Sequence, residues 1–94
     1  MRVQWSDRAR RQIREIFEYI ARDRPRAADD LLEAFLGRVD LLTEFPEQGK
    51  LWGDGARPDV REIIFESHRI VYRVGLEDLS ILSVRHTRME SDEE

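Results

Sequence analysis

Apolar and polar residues follow two different rhythms along this chain. Met1, Val3 and Trp5 alternate with Arg2 and Gln4, the two-residue period of a half-buried strand. From Ala9 the spacing changes. Ala9, Ile13, Ile16, Phe17 and Ile20 recur at helical intervals, with Arg8, Arg10, Arg11, Arg14, Glu15 and Glu18 on the remaining surface. Ser6 stands where an N-cap belongs, and Asp7 adds a negative charge beside the positive end of the helix dipole. The pattern predicts a helix over 7–22.

Asp23-Arg24-Pro25 interrupts that helix, and proline suits the first turn of a new one, so a second helix is expected from Pro25. Its apolar positions are Ala28, Leu31, Leu32, Phe35, Leu36, Val39, Leu42 and Phe45, with Leu41 widening the stripe, until Pro46 and Gly49 end it. Helices joined this tightly should form an antiparallel hairpin, the second being the more buried. Gly37 costs that helix about 1 kcal/mol relative to alanine, and close approach of the first helix is the expected compensation.

Residues 46–59 carry three glycines and two prolines and read as a loop that is either functional or folded down by Leu51 and Trp52. Trp52 is expected to cap the edge of the core, with contact to a partner as the alternative. Beyond it the two-residue period returns. Ile- and Val-rich runs at 60–66, 69–75 and 79–86, separated by Ser67-His68 and by Gly75 to Asp78, predict an antiparallel meander. Ile70, Tyr72, Val74, Leu82 and Val84 are assigned to the core face, and Arg69, Arg73 and Arg85 to the open face. A slip of one residue would invert that assignment. The fold class is α+β: an N-terminal strand and an antiparallel helical hairpin packed on a four-stranded, mainly antiparallel sheet. One domain spans 1–89, and an acidic tail, 90–94, is expected to be disordered.

Composition narrows the function classes. The 94 residues suit one modest core. Twenty acids against sixteen bases give a net charge of −4, but four of those acids lie in 90–94, so the body is neutral. A general nucleic-acid binder would carry a basic excess. With no cysteine there is no disulfide, and two histidines eighteen residues apart do not form a zinc motif, so no metal or other cofactor is expected. The apolar runs are too short to span a bilayer and charges interrupt the N-terminal stretch, so no membrane association and a cytoplasmic location are expected. Lys50 is the sole lysine among sixteen bases, a bias that fits a GC-rich genome as readily as a function.

The ordered set Val3 to Ser6 with Ala9, Ile16 to Ala21, Asp23 to Ala28, Phe45 to Gly49, Val60 to Glu62, Arg69 to Val74 and Ile81 to Arg88 resembles toxins of the RelE/ParE superfamily of bacterial type II toxin–antitoxin modules. The long hairpin and the ending Val84-Arg-His-Thr-Arg88 are more similar to ParE. The resemblance implies two helices on an antiparallel sheet, and a cognate antitoxin encoded by an adjacent gene. It also implies growth inhibition serving plasmid or chromosome stabilisation. Two targets follow from it: DNA gyrase, inhibited without bond cleavage by ParE-like members, or the ribosome and its mRNA, cut by RelE-like endoribonucleases. Whether the chain is an enzyme depends on that choice. A homodimer and a toxin–antitoxin hetero-oligomer both stay open.

For RNA cleavage, Arg69, Arg73, Arg85 and Arg88 would steady the phosphate and His86 or His68 would move protons. Ribonucleolytic relatives commonly carry lysines where this chain has Val60 and Glu62, and a tyrosine beyond the last strand where it reads Thr87-Arg-Met-Glu. Those departures favour a docking surface over a nuclease. The candidate partner-binding residues are Arg61, Arg69, Arg73, Arg85, His86 and Arg88, together with a groove edge of Leu36, Leu41 and Trp52. His68 reads as turn chemistry, Tyr72 as core, and Arg61 and Arg69 also as partners of Glu62 or Glu66.

Overall fold

A computed structural model of the protein describes residues 1–88; the acidic segment 90–94 lies outside the described residues. Strand β1 (Arg2–Trp5) leads into helices α1 (Asp7–Asp23) and α2 (Pro25–Glu44). A short 3-10 turn (Pro46–Gln48), β2 (Lys50–Leu51), β3 (Val60–Phe65), β4 (His68–Val74) and β5 (Asp78–His86) complete the chain. The sheet order is β1-β5-β4-β3-β2, so the first and last strands are neighbours. They pair in parallel, while every other pair is antiparallel.

Both helix starts follow the expected chemistry. Ser6 caps α1 by accepting the Ala9 N–H at 3.0 Å, and its own hydroxyl donates to the Leu82 carbonyl at 2.9 Å. One side chain therefore fixes the helix start and its position on β5. β1 stops at Trp5, and groups on α1 continue where it ends: the Ser6 N–H donates to the Ile81 carbonyl at 3.0 Å, and Gln12 Oε1 accepts the Val84 N–H at 2.8 Å. Pro25 occupies the first turn of α2.

The core lies between the hairpin and one face of the sheet. Phe35 is its hub, with ring centroids 6.0 Å from Trp5, 6.3 Å from Phe17 and 5.7 Å from Phe65. Val39 and Leu42 from α2 and Ile63, Ile70, Tyr72, Leu79, Ile81 and Val84 from the sheet fill the space around it. Burying Phe35, a large aromatic, is worth roughly 1.5–3 kcal/mol in apolar area alone.

The structure corrects four expectations. The sheet has five strands, because Lys50 and Leu51 inside the expected loop pair with Glu62 and Arg61. Leu82 is not a core residue: Val71 faces Ser83 while Tyr72 faces Ile81, so Leu82 is the extra residue of a β-bulge. That bulge places both Ile81 and Val84 in the core, which strict alternation forbids, and Leu82 is half-buried. Gly37 makes no close approach to α1, since a Cβ built there meets nothing within 4 Å. Trp52 is 43% exposed and stands apart from the core cluster rather than capping it. The remaining core assignments, Ile70, Tyr72 and Val84, are buried, and Val74 packs against the cluster.

Candidate functional site

Directly opposed residues in an antiparallel ladder share a face. Ile70 faces Val84 in the core, so their neighbours Arg69 and Arg85, also a facing pair, lie on the opposite side of the sheet. Arg73, facing Val60 and Ser80, joins them. The three arginines thus share the face turned away from the helices, as the alternation predicts. Opposite Val71 on that face sits Glu62, only 8% exposed, whose carboxylate accepts from Arg69 Nη1 at 2.8 Å and lies 3.6 Å from Lys50 Nζ. Arg73 donates to the Ser80 hydroxyl at 3.2 Å.

Arg61 is placed elsewhere. It faces Tyr72, and its guanidinium reaches back under the 3-10 turn to the carbonyls of Gly49, at 2.6 Å, and Glu47, at 3.4 Å. Those bonds anchor a turn, so Arg61 stands outside the arginine face. Tyr72 completes the anchor, with its hydroxyl donating to the Pro46 carbonyl at 2.7 Å and accepting the Gly49 N–H at 3.0 Å. Burial pushes the Tyr72 phenol above its ordinary range, and the Gly49 hydrogen bond and the charges of Arg61 and Arg38 only partly oppose this. A buried, doubly bonded hydroxyl is structural.

The histidines sit together on the helix side. His68 faces His86, with ring centroids 5.3 Å apart in an edge-to-face arrangement. His86 Nδ1 accepts the Arg88 N–H at 3.1 Å, which assigns its proton to Nε2 when the ring is neutral. Burial, and then the neighbouring His86, lower the His68 pKa below its ordinary value. The pair lines a largely apolar groove of about 570 Å³ with Ile16, Tyr19 and Ile20 of α1, and Arg85 borders its rim. Arg88 is exposed at the end of the described chain.

Leu36 and Leu41 are 45% and 44% exposed. Five residues at about 100° each put them roughly 140° apart around α2. They flank the helix on different sides. Among the described residues no group of three or more His, Asp or Glu side chains is placed to hold a metal ion. Among the described residues no helix is long and apolar enough to cross a membrane.

This fold has clear counterparts. Residues 3–91 match the family described as the ParE toxin of the type II toxin–antitoxin system parDE. The chain belongs to the ParE toxin family. It is 33% identical over 91 residues, covering 95% of this chain and 91% of the relative, to Y4kP of Sinorhizobium fredii, whose name gives toxin as its expected role. A solved chain of the chromosomal ParDE toxin–antitoxin system from P. aeruginosa shares the fold at a TM-score of 0.72. That likeness covers 92% of this chain and 95% of the other at 21% identity. Family membership makes the protein the toxin half of a toxin–antitoxin module, with a cognate antitoxin as partner.

Sequence reasoning missed two parts of this surface. Glu62 was weighed as a replaced lysine and as one salt-bridge option, without its burial. Arg38, on a helix face otherwise read as apolar, was not singled out at all.

Proposed function

We propose that the toxin inhibits DNA gyrase by docking on it and breaks no bond itself. One observation carries this reading: the groups able to move protons and the groups able to hold a phosphate lie on different sides of the sheet. His68 and His86 face the α1 groove, whereas Arg69 and Arg73 point from the other face. General acid–base cleavage of RNA needs both at one phosphodiester, within hydrogen-bond reach. Arg85 alone borders both regions. On the arginine face, Glu62 already engages Arg69 and would repel a phosphate there. Tyr72 is held by the 46–49 turn and has no free hydroxyl to offer. A protein target asks less of these groups: an ordered row of arginines is a good docking surface, because planar guanidinium groups match carboxylates in pairs.

Purified toxin is added to gyrase supercoiling reactions, beside primer extension on mRNA undergoing translation. Gyrase-dependent double-strand breaks with no codon-phased cuts are expected. The double variant Arg69→Glu, Arg73→Glu should raise the inhibitory concentration about tenfold or more, the effect of losing one hot-spot contact. Codon-phased mRNA cuts with unimpaired supercoiling would replace this reading with the ribosome-dependent nuclease.

A further inference from the structure

Two arginines on the open face of the sheet stand where like charges repel. Arg69 faces Arg85 directly across β4 and β5. Opposed residues in a strand pair lie about 4.5–5.5 Å apart, and like charges there destabilise the pairing. Glu62 offers that face one carboxylate, but Arg69, at 2.8 Å, and Lys50, at 3.6 Å, already share it. Arg73 adds a further cation on the same side. A second anion over the Arg69–Arg85 pair would relieve the repulsion.

The chain carries such an anion close by. Glu90, Asp92, Glu93 and Glu94 put four carboxylates within five residues, with no base among them. They follow Arg88, which is itself only three residues beyond Arg85. At about 3.3–3.6 Å per extended residue, the six residues after Arg88 reach up to roughly 20 Å. That is ample for Arg85 and Arg69. Arg73 lies four residues along β4 from Arg69, about 13 Å farther, near the limit of the reach. A tether this short gives an effective concentration in the millimolar range, so even weak exposed ion pairs can hold the segment in place.

We propose that the acidic segment 90–94 lies over the Arg69–Arg85 pair and competes with the toxin's target for the arginine face. Charge and tether supply the contact, and no regular secondary structure is required. A target that offers its own carboxylates must displace the segment, so the toxin is partly blocked by its own chain. The competition rests on the gyrase reading, whereas the contact itself does not.

Full-length, nitrogen-15-labelled toxin is compared by NMR with the charge-neutral variant Glu90→Gln, Asp92→Asn, Glu93→Gln, Glu94→Gln, following the arginine Nε–H signals. Those of Arg69 and Arg85 should differ between the two proteins, while that of Arg57, paired with Asp59 on another loop, should coincide. Raising salt from about 0.1 M to about 1 M, which shortens the screening length from about 10 Å to about 3 Å, should move the full-length signals toward those of the variant. In supercoiling reactions the variant should inhibit gyrase at a roughly threefold to tenfold lower concentration, the effect of two or three exposed ion pairs. With Arg69→Gln and Arg85→Gln also present, neutralising the segment should change that concentration less than about twofold. Circular dichroism confirms that each variant is folded. Coincident Arg69 and Arg85 signals in the two proteins would overturn the contact. A shift that follows toxin concentration would overturn it in favour of a segment seated on a second copy. An unchanged inhibitory concentration, or a gain that persists without Arg69 and Arg85, would overturn the competition. Absence of gyrase inhibition by either protein would overturn the gyrase reading and the competition together, and the NMR comparison would still decide the contact.

Discussion

Replacing Tyr72 by phenylalanine keeps the buried ring and removes one oxygen. That oxygen carries two hydrogen bonds, donating to Pro46 and accepting from Gly49, and together they tie the 3-10 turn and β2 to the centre of the sheet. Ordinary hydrogen bonds contribute about 0.5–1.5 kcal/mol each, and a buried donor left unpaired costs about 1–3 kcal/mol. Gly49 is buried, so its N–H cannot simply turn to solvent. The structure therefore predicts a loss of about 2–3 kcal/mol for Tyr72→Phe. In a domain this size each kcal/mol moves Tm by about 4–8 °C, giving a drop of roughly 8–24 °C. Urea unfolding followed by circular dichroism at neutral pH measures it, with an unchanged slope as the sign that only stability has altered. The pH dependence supplies an independent check. The Tyr72 phenol has a folded-state pKa above the ordinary 10.0. Its contribution is complete below pH 10 and is lost as the pH rises through the folded value, because the unfolded chain ionises first. The gap between the native protein and Tyr72→Phe should therefore narrow above pH 10. A loss below about 0.5 kcal/mol, or a gap that stays constant into alkali, would refute the anchoring role.

Gly37→Ala should stabilise the toxin by about 1 kcal/mol in the same urea assay, since the added methyl meets nothing and the helix gains propensity; a loss would show that the position needs glycine. His68 is held below its ordinary 6.5 by burial and by His86. Its contribution is present above pH 6.5 and is lost as the pH falls through the folded value, because the unfolded chain takes up the proton first. Unfolding measured across that window should show an acidic slope that His68→Gln reduces.

The helical hairpin was legible because each of its signals is local. Ser6, Asp7 and Pro25 act on backbone groups within one turn, and the spacing of Ile13, Ile16, Phe17, Leu31 and Phe35 reports a face without reference to anything it packs on. The arginine face was legible for a similar reason, since Arg69 and Arg73 alternate with buried Ile70 and Tyr72. Alternation failed at Leu82, where the bulge restarts the count, and no local composition marks that residue as the extra one. Gly37 misled because propensity registers the cost of a glycine and cannot show whether a neighbour comes close.

Period and capping chemistry in the sequence alone determined the two helices, the meander and the outward row of arginines, and the ordered set of matching residues carried the resemblance to one toxin superfamily. Tertiary structure alone decided that β1 joins β5 in parallel, that Lys50 and Leu51 make a fifth strand, and that Arg61 ties down a turn while Glu62 engages Arg69. It also separated the histidines from Arg69 and Arg73, and left Arg38 Nε buried with no hydrogen-bond partner among the described residues. These are long-range juxtapositions. Hydrogen bonds and charges act over a few ångströms in space, and the residues that meet here are set by strand order and register, which local spacing does not encode.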